Sequence, residues 1–172
     1  MLLGVVSGLA GNLVKTLIDE VSRKNKISQR TFRETAAGVW VNKRSEATNY
    51  KGQLLGGLLD FGLASLGGIG TVQLFSKTGR DCVLTKGILS GITVGSTVTA
   101  FMSALPQNKV KPKDAASNLS YMLAHAVYGV VTAALVTKLG DPSLFDSKPV
   151  NNYLSPTEPT TEEMFINRRQ AQ

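Results

Sequence analysis

Two side chains in this 172-residue chain have the chemistry to do more than pack, Asp60 and His125. Asp60 is the single charge in the apolar run 52–76, and His125 is the chain's one histidine, set in the apolar run 115–137. Read as helices rising 1.5 Å per residue, both lie about 12 Å into their segments. Thr97 and Thr99, on the run between, fall near the same level, and Lys15 on the first run falls close by. A carboxylate among apolar helices costs several kcal/mol unless it faces inward and finds a partner. The spacing therefore predicts a buried polar layer of Asp60, His125, Lys15, Thr97 and Thr99, with Asp60 paired to His125 or to Lys15. If the partner is His125, the carboxylate favours the charged imidazole, and the layer becomes a proton-sensitive switch or a step in a proton path. The plainer role is structural, one buried pair fixing the register of neighbouring helices, and it is the expected one.

Other chemistry finds little support. A lone Cys82 leaves no disulfide framework or zinc cluster, and a single histidine leaves no histidine-rich site, so neither metal nor cofactor is expected. No serine or cysteine is marked as a partner for His125. The Gly67-Gly68-Ile69-Gly70 cluster lacks the Lys-Ser/Thr and the preceding strand of a phosphate loop. An enzyme is not expected.

The elements that must position the layer centre on residues 87–105, which carry no charge. Gly87, Gly91, Gly95, Thr99 and Ser103 recur there every fourth residue. Such spacing makes a nearly side-chain-free stripe along a helix. Glycine costs a soluble helix about 1 kcal/mol against alanine, whereas helices in lipid use it for close backbone approach. The sequence accordingly predicts an all-α fold, a four-helix transmembrane bundle with glycine-rich packing. Its spans run over about 2–20, 52–76, 84–105 and 116–138. Gly4/Gly8 and Ser7/Gly11 are small pairs on the first helix, Gly52/Gly56 on the second and Gly129 on the fourth. The Gly67–Gly70 cluster should bend the second helix, and the 87/91/95 stripe is a candidate for self-association into a homo-oligomer. The chain opens without a basic region and has Lys15 where a cleavage site would fall, so residues 2–20 are expected to be retained as a span. Residues 1–140 form the helical domain, and 141–172 are expected to be a polar, mobile tail with one short turn over 164–169.

A mean hydropathy of only +0.03 averages over strong segregation. The formal charge of +7 sits mostly between the spans. Lysine and arginine number about 12 in the first and third connections, Lys15 included, against about three around the 77–86 hairpin. By the positive-inside rule the two basic connections are cytoplasmic and both chain ends lie outside. Within the first connection, Ile27, Phe32, Ala36, Val39 and Trp40 line one face of a short helix beginning near Ser28. With Arg23, Lys24, Lys26, Arg30, Arg33, Lys43 and Arg44 around it, this predicts a surface-lying helix on anionic headgroups. Little aromatic interleaving supports nucleic acid as the partner.

The motifs Gly4-Val-Val-Ser-Gly-Leu-Ala-Gly-Asn-Leu-Val-Lys15, Thr78-Gly-Arg-Asp81, Lys86-Gly-Ile-Leu-Ser-Gly91, Ser117-Asn-Leu-Ser and His125-Ala-Val-Tyr-Gly129 resemble small four-span membrane proteins of Firmicutes, of the YqhR/YagU-like kind. The resemblance covers about residues 1–140 and implies a bacterial cytoplasmic-membrane protein, without carrying over any catalytic residue. The expected function is a structural or accessory bundle in the inner membrane. One alternative is a small channel, holin-like pore or transporter subunit using Asp60 and His125. The other is a peripheral helical protein binding anionic surfaces through residues 23–51.

Overall fold

The computed structural model describes residues 1–111 and 114–146. The described residues are all-helical. Four long helices, α1 (Leu2–Lys24), α4 (Tyr50–Thr78), α5 (Val83–Ala104) and α6 (Ala115–Leu139), form the bundle. Two short ones, α2 (Phe32–Ala37) and α3 (Arg44–Thr48), lie in the first connection, and a 3-10 turn, Pro142–Phe145, follows α6. The four long helices match the predicted spans to within a few residues, and all four are long and apolar enough to cross a membrane.

The bundle buries polar residues and leaves large apolar ones outside. Its buried faces carry Ser7, Asn12, Lys15, Asp60, Ser120, His125 and Thr132, while Leu17, Leu58, Leu66, Leu89 and Leu123 each stand more than half exposed on the outside. A soluble exterior rarely leaves so many large apolar side chains uncovered.

Small residues decide which helices touch. On α1, Gly4 and Gly8 meet the α4 backbone at Ala64, Gly68 and Ile69, and Gly11 meets Tyr128 and Thr132 of α6. The first helix therefore packs between α4 and α6 along its length, as a span does. The α5 stripe is consumed within the chain: a Cβ on Gly91 would strike the His125 carbonyl, and one on Gly129 the Gly87 carbonyl. This corrects the expectation that Gly87, Gly91 and Gly95 are free for self-association, because α6 already covers them. The glycine cluster of α4 does not interrupt it; the helix runs unbroken from Tyr50 to Thr78, and α1 comes closest at Gly68. Gly52 and Gly56 receive not another span but the backbone of the first connection, at Glu46, Ala47 and Arg33.

That connection is the largest departure from expectation. Thr31, not Ser28, caps α2: its hydroxyl accepts from the Glu34 N–H, and the Glu34 carboxylate accepts from the Thr31 N–H, a reciprocal capping box. The resulting helix is tucked into the bundle end instead of lying on a surface. Phe32, Thr35, Ala36 and Ala37 are all buried, whereas Ile27 and Trp40 stay exposed at 53% and 68%. The third connection docks on it. Asn108 donates to the carbonyls of Thr35 and Met102 at 3.2 and 3.0 Å, the Lys109 N–H reaches the Gly38 carbonyl, and Val110 packs with Ala37 and Ala47. The two basic connections thus form one cap over one end.

Of residues 142–146, expected to begin a mobile tail, Phe145 is packed while the other four stay exposed. Phe145 is 1% exposed and joins Phe75, Ala133 and Val136 in a core cluster. The short turn expected over 164–169 lies outside the described residues.

Candidate functional site

The site grows from one face of α1. Gly4, Gly8, Gly11, Asn12, Lys15, Asp19 and Ser22 are all buried, small or polar residues at steps of three and four. One turn each, they address α4, α6 and the cap. Lys15 Nζ donates to the Asp60 carboxylate of α4, and both side chains are nearly inaccessible. The ammonium also lies 4.4 Å from the centre of the Phe32 ring, a cation–π contact worth more where water is excluded. Phe32 is placed by its own backbone, whose N–H donates to Asp19 at 2.5 Å.

His125 belongs to the same layer without bonding the carboxylate. Its Nδ1 lies 2.7 Å from the Tyr121 carbonyl one turn back; a carbonyl only accepts, so Nδ1 carries the proton. Its ring meets Phe32 edge-on at 5.1 Å. Tyr128 closes the other side by donating to the Ala64 carbonyl at 2.7 Å. Between Asn12, Lys15, Asp60, His125 and Tyr128 remains a void of about 20 Å³, room for one water molecule. Asn12 is fully buried, and both of its amide atoms lack a protein partner.

Of the predicted layer, then, Asp60, Lys15 and His125 are brought together, with Lys15 as the direct partner. Thr97 and Thr99 are not. Thr97 is exposed, Thr99 is half-buried, and the α5 residues that face the void are Val94 and Val98. One residue along a helix is a turn of about 100°, enough to carry Thr97 away from the void that Val98 faces.

Several members were not anticipated. Asn12 and Asp19 share the Lys15 face, and their spacing was the signal available. Thr31-Phe-Arg-Glu34 was equally visible as a capping box. The lacing of the cap onto α6 was not visible in one dimension. Arg30 Nη2 donates to Asp114 at 2.6 Å, Tyr121 Oη donates to the Arg30 carbonyl at 2.9 Å, and Ser28 donates to Ser117. The Ser22 and Ser120 hydroxyls lie 2.6 Å apart. Burial works against ionisation of Asp114, but hydrogen bonds from Ser117 and Arg30 outweigh it and hold the carboxyl below the ordinary carboxylate value.

The residues expected on anionic headgroups divide in three. Arg30 is spent on Asp114, and Arg23 reaches Glu34 at 3.3 Å. Arg33 is half-buried, and Lys24, Lys26, Trp40, Lys43 and Arg44 are exposed. No group of His, Cys, Asp and Glu suited to a metal occurs among the described residues. No family model, curated protein or solved structure matches the chain.

Proposed function

We propose that this chain is a structural or accessory protein of the bacterial inner membrane, with its cap and basic connections in the cytoplasm. Four apolar helices with leucine outside and polar groups inside support membrane insertion. The observation that carries the structural role is the closure of the polar layer. Lys15 and Asp60 satisfy each other, Phe32 and Tyr128 cover them, and the remaining space is about 20 Å³. A buried pair of this kind can fix the register of the helices that carry it. The YqhR/YagU-like resemblance is in keeping with this reading.

One observation favours a second reading, a proton or ion path through the layer. Asn12 offers two unpartnered amide atoms beside the pair, where a water could link Asp60 and His125. Two experiments decide. Alkaline carbonate extraction should leave the protein in the membrane pellet; its release would restore the peripheral alternative through residues 23–51. Purified protein in liposomes should be tight to protons and small ions, whereas a leak abolished by Asp60→Asn would establish the pore.

A further inference from the structure

Beside the cap, on the outer face of α4, a groove of about 390 Å³ is lined by Arg33, Tyr50, Gln53, Leu54, Gly57, Leu58 and Phe61. Its polarity is graded. The polar lining comes from the first turn of α4 and from Arg33, and the lining beyond is apolar. At 1.5 Å per residue the 29-residue helix is about 43 Å long, the full thickness of a bilayer with its headgroups. Tyr50 then sits at headgroup level, and Leu54 through Phe61 run into the acyl region.

Arg33 is the unusual member. The buried Arg30 is matched by Asp114, and the exposed Arg23 reaches Glu34. Arg33 has no acidic partner among the described residues, although it is half-buried beside apolar side chains. Its backbone packs on Gly56, and its side chain runs past Gly57 to line the groove. Gly57 keeps the groove open. A Cβ there would meet only the Arg33 Cδ, at an ordinary 3.8 Å, so the glycine is not needed for helix packing, unlike its neighbour.

We infer that this groove binds one anionic phospholipid, its phosphate on the Arg33 guanidinium and one acyl chain along Leu54, Gly57, Leu58 and Phe61. A guanidinium is suited to phosphate through paired N–H donors, and its charge is what the groove otherwise leaves unanswered. Tyr50, 83% exposed, adds a hydroxyl at headgroup level. The inference rests on the membrane reading above and makes it specific: a seated lipid in place of a diffuse attraction to the exposed lysines.

The test uses the full chain in detergent micelles, titrated with phosphatidylglycerol or phosphatidylcholine and read by native mass spectrometry. Phosphatidylglycerol should be retained in preference to phosphatidylcholine. Arg33→Gln should weaken phosphatidylglycerol about fivefold or more, the scale of one basic residue at a charged leaflet. Lys43→Gln, which removes an exposed cation outside the groove, should leave retention unchanged. Gly57→Leu should fill the groove and reduce binding of both lipids without loss of folded protein. Equal retention of the two lipids, equal losses from Arg33→Gln and Lys43→Gln, or full displacement by inorganic phosphate would each overturn the assignment. Carbonate extraction separates the two readings. Protein that pellets but shows no Arg33 dependence refutes the groove alone, while protein released into the supernatant refutes membrane insertion as well.

Discussion

The polar groups at the two ends of the bundle are satisfied by different means. At the hairpin end, α4 and α5 are joined by four residues. Gly79, at φ 80°, and Cys82, at φ 50°, turn the chain, Phe145 from beyond α6 covers Phe75 beneath it, and one lysine satisfies most of the turn's polar groups. Lys86 Nζ donates to the carbonyls of Thr78 and Gly79 at 3.0 and 3.1 Å and to Asp81 at 2.6 Å, all within eight residues. At the capped end the contacts are between residues far apart in sequence. Arg30 reaches Asp114, Asn108 reaches Thr35, Ser28 reaches Ser117, and Phe32 lies over both Lys15 and His125. A short turn needs only its own carbonyls satisfied, whereas a long polar connection held against a membrane bundle must satisfy its whole backbone within the protein. The difference also sorts charge. Lys86 is used up locally and leaves Lys77 and Lys138 exposed near the hairpin end, whereas the first connection alone exposes Lys24, Lys26, Lys43 and Arg44.

If this contrast is right, the largest effects lie beneath the cap. Lys15→Ala leaves Asp60 without its ammonium partner in a buried layer with room for one water. It should cost about 3–5 kcal/mol of unfolding free energy in detergent, and Lys15→Ala with Asp60→Ala should recover much of it. A double variant no better than the single would mean that the pair is not the coupled unit.

Next comes the lacing of the cap. Arg30→Gln should cost about 2 kcal/mol at neutral pH, the size of a hydrogen bond to a charged group. The sign of its pH dependence is fixed. The Asp114 carboxyl is held below its ordinary value, so its contribution is complete above the ordinary carboxylate range and is lost as pH falls from that range through the lower value of the folded state. The gap between wild type and Arg30→Gln should therefore narrow below about pH 4. A gap that widens on acidification would refute the pair.

The hairpin should be the more forgiving end. Lys86→Met removes three local bonds, and about 1–2 kcal/mol is expected, with limited proteolysis at residues 79–82 rising while the cap stays protected. If loss of Lys86 loosens the cap too, the ends are not independent. The smallest effect belongs to Thr97→Val, which should change stability by less than about 0.5 kcal/mol, since Thr97 faces outward. A larger loss would return the threonines to the polar layer.

Much of this was legible in one dimension. The four spans follow from the lengths of uncharged runs, and Gly4/Gly8 and Ser7/Gly11 stand out as small pairs on α1, although only the structure says that α4 and α6 meet them. Burial of Asp60 and Lys15 follows from the cost of charge in an apolar segment. The choice between His125 and Lys15 did not follow, nor did the exclusion of Thr97, because periodicity fixes spacing along a helix but not its rotation against a neighbour.

The first connection makes the same point at larger scale. Its composition, basic with scattered apolar residues, suits a helix lying on a leaflet, and nothing local forbids that. What tucks α2 inward is Phe32 finding Lys15 and His125, Asn108 finding Thr35, and Gly56 leaving room for Arg33. The sequence by itself determined which segments are apolar, where they stop and which faces are small, since those depend on neighbours within a few turns. Only the tertiary structure decided who partners whom across the bundle, because those energies belong to pairs tens of residues apart and exist only once the helices have packed.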